Sequence, residues 1–169
     1  ADYTYTQKYK HRDHRGGGRS SGRETAARVA AGAIAKQWLR HHGIQIQAYT
    51  LAVGPFTVTD IDLSVIETNP IRCPNTQQAI AIEAYIEQLK HDGDSVGGIV
   101  QLCITGMPVG IGEPCFDKLD AVLGHAILSI GTIKGVEFGA GFKTAELLGS
   151  ESNDTLQSNA HGISTTTNH

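Results

Sequence analysis

No apolar run in this sequence approaches the roughly 18 residues that a membrane-spanning helix needs, and the best candidate, Ala26 to Ala35, is broken by Arg28. Cysteine is scarce. Cys73, Cys103 and Cys115 are odd in number and lack CxxC spacing, which excludes a disulfide framework and a thiolate zinc site. They read as free thiols in a reducing compartment, which is expected to be the cytoplasm. Aromatic residues are only 6% of the chain, few for a surface that stacks bases. Neither GxxxxGK[ST] nor GxGxxG after a strand occurs, so the two common nucleotide fingerprints are absent. No signal-peptide pattern is expected, so Asn153-Asp154-Thr155 carries no weight as a glycosylation acceptor. There is no internal repeat. Initiator methionine is missing too, and the chain opens in mid-pattern, which leads to the expectation of an internal fragment.

What is present is enough for a packed core. The 169 residues suit one domain or a large piece of one, with 40% hydrophobic and 18% charged residues. Charge is divided unevenly. Nine Lys or Arg against three Asp or Glu give +6 from Ala1 to Arg40, and five against fourteen give -9 from His41 onward. A basic head on an acidic body points to one local anion site rather than a polyanion-binding surface.

Residues 1–19 carry Tyr3, Tyr5 and Tyr9, then Lys8, Lys10, Arg12, Arg15 and Arg19 around Gly16-Gly17-Gly18, and read as a loop. Ser21 and Glu24 have capping-box spacing, so a helix is expected from there to about His42, ended by Gly43. Seven of its ten residues from Ala26 to Ala35 are Ala or Gly. That lack of bulk predicts a central helix, closely approached by other elements. Alternation from Ile44 to Tyr49 predicts a strand. Asn75 is placed to cap a helix with Ala79, Ile82, Ile86 and Leu89 on one face and Gly93 at its end. A strand over Ile99 to Thr105, a rigid loop from Gly106 to Pro114 and a helix from Leu119 to Ile130 follow. Val136 to Phe138 is expected to be a short strand. Residues 149–169 are poor in apolar residues and read as a polar loop or disordered tail behind a domain over 1–148. Mixed helices and strands place the chain in an α/β or α+β class.

The stretch Arg12-Asp13-His14-Arg15-Gly16-Gly17-Gly18-Arg19-Ser20-Ser21-Gly22-Arg23-Glu24-Thr25 carries the chemistry. A helix start offers amides and partial positive charge to phosphate, and arginine forks match phosphate and carboxylate. Two readings stand at this point. One is a multiply anionic ligand held at the start of the Ala-rich helix; the other is an ordinary capped helix beside a solvated basic loop. A nucleic-acid surface, with tyrosines among Lys8, Lys10 and Arg12, is the weaker third. The pairs His11/His14 and His41/His42 lack partners at metal-ligand spacing, so no metal is expected. His125 lies off its helix's apolar stripe and is expected to be exposed. Glu113, Asp117 and Asp120 read as a helix-start charge cluster.

This segment, with Ala1-Asp2-Tyr3-Thr4-Tyr5 before it and Ala26-Ala27-Arg28-Val29-Ala30-Ala31-Gly32 after it, closely resembles a signature of the chorismate synthase family. The likeness continues through Asn69-Pro70, Gly93-Asp94-Ser95, Gly110-Ile111-Gly112-Glu113-Pro114 and Lys134-Gly135-Val136-Glu137, to about Gln157-Ser158-Asn159. The resemblance implies an α+β fold, a β-α-β sandwich of antiparallel sheets around a helical layer, of which this chain holds only part, in a homotetramer. It implies a lyase that converts 5-enolpyruvylshikimate 3-phosphate to chorismate and phosphate by a 1,4-anti elimination. Reduced FMN is required and not consumed, with NADPH a candidate reductant; neither nucleic acid nor membrane is a partner. By position, Arg19, Ser20 and Ser21 match the family's FMN-contacting segment, and Arg23 an arginine that grips the substrate. Gly131 and Thr132 fall where the family has Asn-Ala against FMN, a departure that bears on the side-chain part of that contact. The family's Gly-Glu-Ser-His-Gly segment is absent, and its acid-base histidine stands just before the Ala-Asp-Tyr run. No catalytic side chain is therefore assigned, and the chain alone is expected to be inactive. The alternative is a non-catalytic FMN- or phosphate-ester-binding fragment. Near the end, Ser158-Asn159-Ala160-His161-Gly162-Ile163-Ser164 matches the family pattern only loosely.

Overall fold

The computed structural model describes residues 2–160 and 162–169; Ala1 of the Ala-Asp-Tyr run and His161 of the closing pattern lie outside the described residues. Along the chain the main elements are α1 (Asp2–Tyr9), α2 (Thr25–His41), β1 (Gln45–Val53), β2 (Phe56–Thr57), α3 (Thr76–His91), β3 (Gly98–Thr105), α4 (Leu119–Leu128), β4 (Leu156–Asn159) and β5 (Gly162–Thr165). Helices combine with antiparallel sheets only, an α+β arrangement. The chain divides into two units, Ala30–Val109 and Ala1–Val29 with Gly110–His169.

In the first unit the sheet order is β2-β1-β3. Pairing of β1 with β3 runs from Gln45↔Thr105 to Val53↔Gly98, with an irregularity between Thr50 and Ala52. Such a bulge frees backbone groups for other partners. Thr50 accordingly donates its amide to Arg72 O at 3.0 Å and its hydroxyl to Ile71 O at 2.7 Å. That tie brings the segment before α3 onto the sheet, and a small core forms there from Val58, Cys73, Ala79 and Ile82. Ile82 is fully buried, a contribution of about 1.5–3 kcal/mol from its removal from water. Asn69 closes the loop below: its amide donates to Val65 O and Cys73 O, and its carbonyl accepts from Cys73 N. Asn69-Pro70 is thus part of the framework. Gly43 ends α2 and Gly106 ends β3, both at positive φ, and a side chain at Gly106 would run into the Gly43 carbonyl.

The Ala-rich helix α2 has the expected length but not the expected cover. It has no buried residue, and Val29, Ile34 and Trp38 stand 71%, 72% and 62% exposed. A central position is not what this stretch of the fold provides, because no element among the described residues packs over its apolar side.

The second unit differs from the sequence expectation at three places. Residues 2–9 form α1 instead of a loop. Nothing apolar is buried there; local contacts suffice, with Asp2 in the first turn, the Thr6 hydroxyl donating to Asp2 O, and the Tyr5 and Tyr9 rings edge to face. Val136 to Phe138 has no regular secondary structure and pairs with no strand among the described residues. Val136 and Phe138 instead lie against buried Gly124 of α4. The polar segment after Gly149 carries the β4–β5 hairpin, and Leu156 and Ile163 on it are exposed. Asp154 anchors its far side by accepting from the Thr167 hydroxyl at 2.7 Å and His169 N at 3.1 Å.

Candidate functional site

The glycine run uses its freedom at Gly18, whose φ of +55° a side chain would strain. Two short 3-10 turns follow, Gly18–Ser20 and Gly22–Glu24, before α2 begins at Thr25. The capping box read from the spacing of Ser21 and Glu24 does not form. Ser21 makes no side-chain cap bond, and Glu24 pairs with Arg28, one helical turn on, at 3.2 Å. An i,i+4 ion pair on a forming helix competes directly with the backward reach that a capping box requires. Ser20 donates its hydroxyl to Gly17 O, and Thr25 donates its own to Gly22 O at 2.7 Å. The hydroxyl of Ser21 is left without a hydrogen bond among the described residues.

The arginines separate into two kinds. Arg12 pairs with Asp2 of α1 at 2.5 Å. Arg15 grips Asp13 with a fork of two 3.0 Å bonds and a backbone amide bond. Its guanidinium holds the Asp13 carboxyl below the usual aspartate range. Because that value is lowered, the pair persists at neutral pH and releases Arg15 only as pH falls through the depressed value. Arg28 is held by Glu24 and Ser129. Arg19 and Arg23 are exposed and make no ion pair or hydrogen bond among the described residues. Two uncommitted guanidinium groups, ten N–H donors between them, stand on either side of the unbonded Ser21 hydroxyl in the sequence. That set can take a phosphate or carboxylate without first giving up a protein partner.

Gly131 and Thr132 follow α4. Ser129 closes that helix, donating its amide to His125 O and its hydroxyl to Ala126 O. Thr132 has φ +74°, a conformation a β-branched residue rarely adopts and one that marks strain held in place by its surroundings. The link between this turn and the basic segment is Arg28, which donates to Ser129 Oγ at 2.8 Å and Ser129 O at 3.3 Å across 101 positions of sequence. Among the described residues no hydrogen bond runs directly from Arg19, Ser20 or Ser21 to Gly131 or Thr132. His11, His14, His41, His42 and His125 are all exposed, and no group of three or more potential metal ligands gathers among the described residues. No helix among those residues is long and apolar enough to cross a membrane.

A sequence model of chorismate synthase matches residues 1–169, the whole length. The chain belongs to the chorismate synthase family. It is 51% identical to the chorismate synthase of Bacteroides fragilis, over all of this chain and 48% of that protein. It is 54% identical to that of Syntrophobacter fumaroxidans, over 92% of this chain and 44% of that protein. A crystal structure of chorismate synthase shares its fold with a TM-score of 0.88 at 31% identity, covering 98% of this chain and 55% of the other. The chain therefore spans about half the length of the family members it matches.

Among the residues toward which the family points, Arg19, Ser21 and Arg23 stand out in the structure by what they leave unmade. Sequence reading missed the pairings that single them out. Asp2 sits close to Arg12 only because residues 2–9 are helical, and Ser129 meets Arg28 only through the tertiary fold. Of these, only the Arg28–Glu24 pair had a visible signal, its i,i+4 spacing.

Proposed function

We propose that this chain is the part of a chorismate synthase that holds the phosphate groups of reduced FMN and of 5-enolpyruvylshikimate 3-phosphate. The whole enzyme would convert that ester to chorismate and phosphate by 1,4-anti elimination, as a cytoplasmic homotetramer, with NADPH a candidate source of reducing equivalents for the flavin. One observation carries the reading: in an arginine-rich segment whose other guanidinium groups have partners, Arg19 and Arg23 have no ion-pair or hydrogen-bond partner among the described residues. Two exposed guanidinium groups without a counter-ion among the described residues can take a dianionic ligand without first breaking an ion pair.

The residues suit the flavin's phosphate. Arg19 offers its fork, Ser21 a free hydroxyl, and Gly18 a tight turn that lets the backbone come near. Reduced FMN, when bound, supplies electron density to the substrate and recovers it. The chain's own part is electrostatic. Arg23 grips an anionic group of the ester, and the basic segment stabilises charge that grows on the departing phosphate more strongly than charge already present. Gly131 and Thr132 contribute a backbone edge, since neither brings the amide side chain usual at that position. The chain alone binds without turnover, because the family's acid-base histidine precedes the Ala-Asp-Tyr run.

Flavin fluorescence titration of the 169-residue chain tests the reading. Arg19→Ala removes a charge-assisted contact of about 1.5–3 kcal/mol, a loss of roughly ten- to a hundredfold in affinity. Its unfolding temperature stays unchanged, since exposed Arg19 makes no ion pair or hydrogen bond among the described residues. Absence of saturable flavin binding by the wild-type chain overturns the proposal. Phosphate release at the rate of a full-length enzyme overturns the claim of inactivity.

A further inference from the structure

We propose that Arg28 is a positioning residue that sets the Gly131–Thr132 turn relative to the Arg19–Arg23 segment. The inference rests on the flavin reading above and adds to it a group that touches neither ligand. One guanidinium plane serves three acceptors. Nε faces Glu24 at 3.2 Å, Nη1 donates to Ser129 Oγ at 2.8 Å, and Nη2 donates to Ser129 O at 3.3 Å. Glu24 lies in the turn that leads into α2, and Ser129 is the closing residue of α4. The fork therefore ties the start of one helix to the end of another, within a single unit of the chain.

The chemistry at the α4 end suits a cation. Carbonyls at a helix C-terminus carry partial negative charge, so a guanidinium placed there is favourable in its own right. Ser129 is already fixed to its helix through Ala126 O, so Arg28 grasps a rigid point. Beyond that point the turn is closed by one long backbone bond, Ile133 N donating to Ile130 O at 3.3 Å. A Cβ added at Gly131 would have no neighbour within 4 Å, and Thr132 keeps a strained φ of +74°. Strained backbone persists only where its surroundings impose it. Ser129, three residues earlier, is where that restraint enters. Lysine cannot replace this arrangement, because a single ammonium has no planar fork to span Glu24 and both oxygens of Ser129.

The test compares Arg28→Lys, Ser129→Ala, the double variant and Arg19→Ala in the 169-residue chain. Three readouts are taken: amide hydrogen exchange over residues 130–133 without ligand, FMN affinity, and the visible circular dichroism of FMN at saturation. Arg28→Lys is expected to speed exchange and weaken FMN, each by about tenfold, for loss of a charge-assisted pair. It should also change the shape of the dichroism band at full occupancy, which a simple loss of affinity leaves alone. Ser129→Ala moves all three the same way by less, and the double variant goes no further than Arg28→Lys, because both remove one contact. Arg19→Ala weakens FMN while exchange over 130–133 stays at the wild-type rate. If the wild-type chain binds no FMN, the flavin reading falls and exchange alone decides the clamp. Unchanged exchange in Arg28→Lys overturns the inference, and so does weakened FMN with both exchange and band shape unaltered, which would make Arg28 a charge and nothing more.

Discussion

Helices α2 and α3 begin with similar residue types and are finished in opposite ways. Asn75 caps α3, its carbonyl accepting from Gln78 N at 3.0 Å, and Cys73 and Pro74 just ahead of it are fully buried. The Gln78 amide at that start thus has its acceptor from within the chain. Ser21 precedes α2 with a hydroxyl fit for the same task, yet it makes no cap bond, and the exposed Arg19 and Arg23 have no ion-pair or hydrogen-bond partner among the described residues. Each α-helix start leaves amides that need acceptors. Where the chain supplies its own acceptor the result is stability, and where it leaves donors free the result is a place for an anion.

The largest expected effect bears on the completed side. Ile82→Ala empties a fully buried site behind the α3 start and should cost about 3 kcal/mol in urea unfolding, given the usual price of a Leu- or Ile-sized cavity. FMN affinity, measured where the variant is still folded, should match wild type. Equal loss of both would mean that the two helix starts are not separable. A smaller effect follows for Asn75→Ala, about 1 kcal/mol for a lost cap, with Asn75→Asp retaining stability because its carboxylate accepts the same amide bond.

The completed side was also the legible one. The spacing of Ala79, Ile82, Ile86 and Leu89 revealed α3, with Asn75 and Gly93 marking its limits, and the structure runs from Thr76 to His91. The β1 and β3 segments were legible because alternation and apolar runs are local properties. Helix α1 was not, having no apolar stripe and resting on contacts between neighbours one turn apart. The cover of α2 could not be read either: its small residues indicate that something approaches, but not whether these 169 residues supply it. At the basic segment, composition revealed an arginine field and the resemblance pointed to Arg19 and Arg23. What composition could not reveal was which guanidinium groups are already satisfied. That depends on Asp2 folding back to Arg12 and on Ser129 arriving from 101 residues away. The Ser21–Glu24 spacing misled because Arg28 offers Glu24 a closer partner.

The smallest expected change in stability is the sharpest test of the contrast. Ser21→Ala removes a half-buried hydroxyl that makes no hydrogen bond among the described residues, so its unfolding free energy should stay within about 0.5 kcal/mol of wild type. A working cap would cost about 1 kcal/mol, as at Asn75. The same variant should bind FMN less tightly by roughly tenfold, the lower end of what a hydrogen bond to a charged group contributes. Ser21→Thr keeps the hydroxyl and should restore affinity. The two measurements pull apart the two uses of one oxygen. If Ser21→Ala loses stability and keeps its flavin affinity, Ser21 is a cap after all, the starts of α2 and α3 are the same device, and the unpaired arginines are a solvated loop.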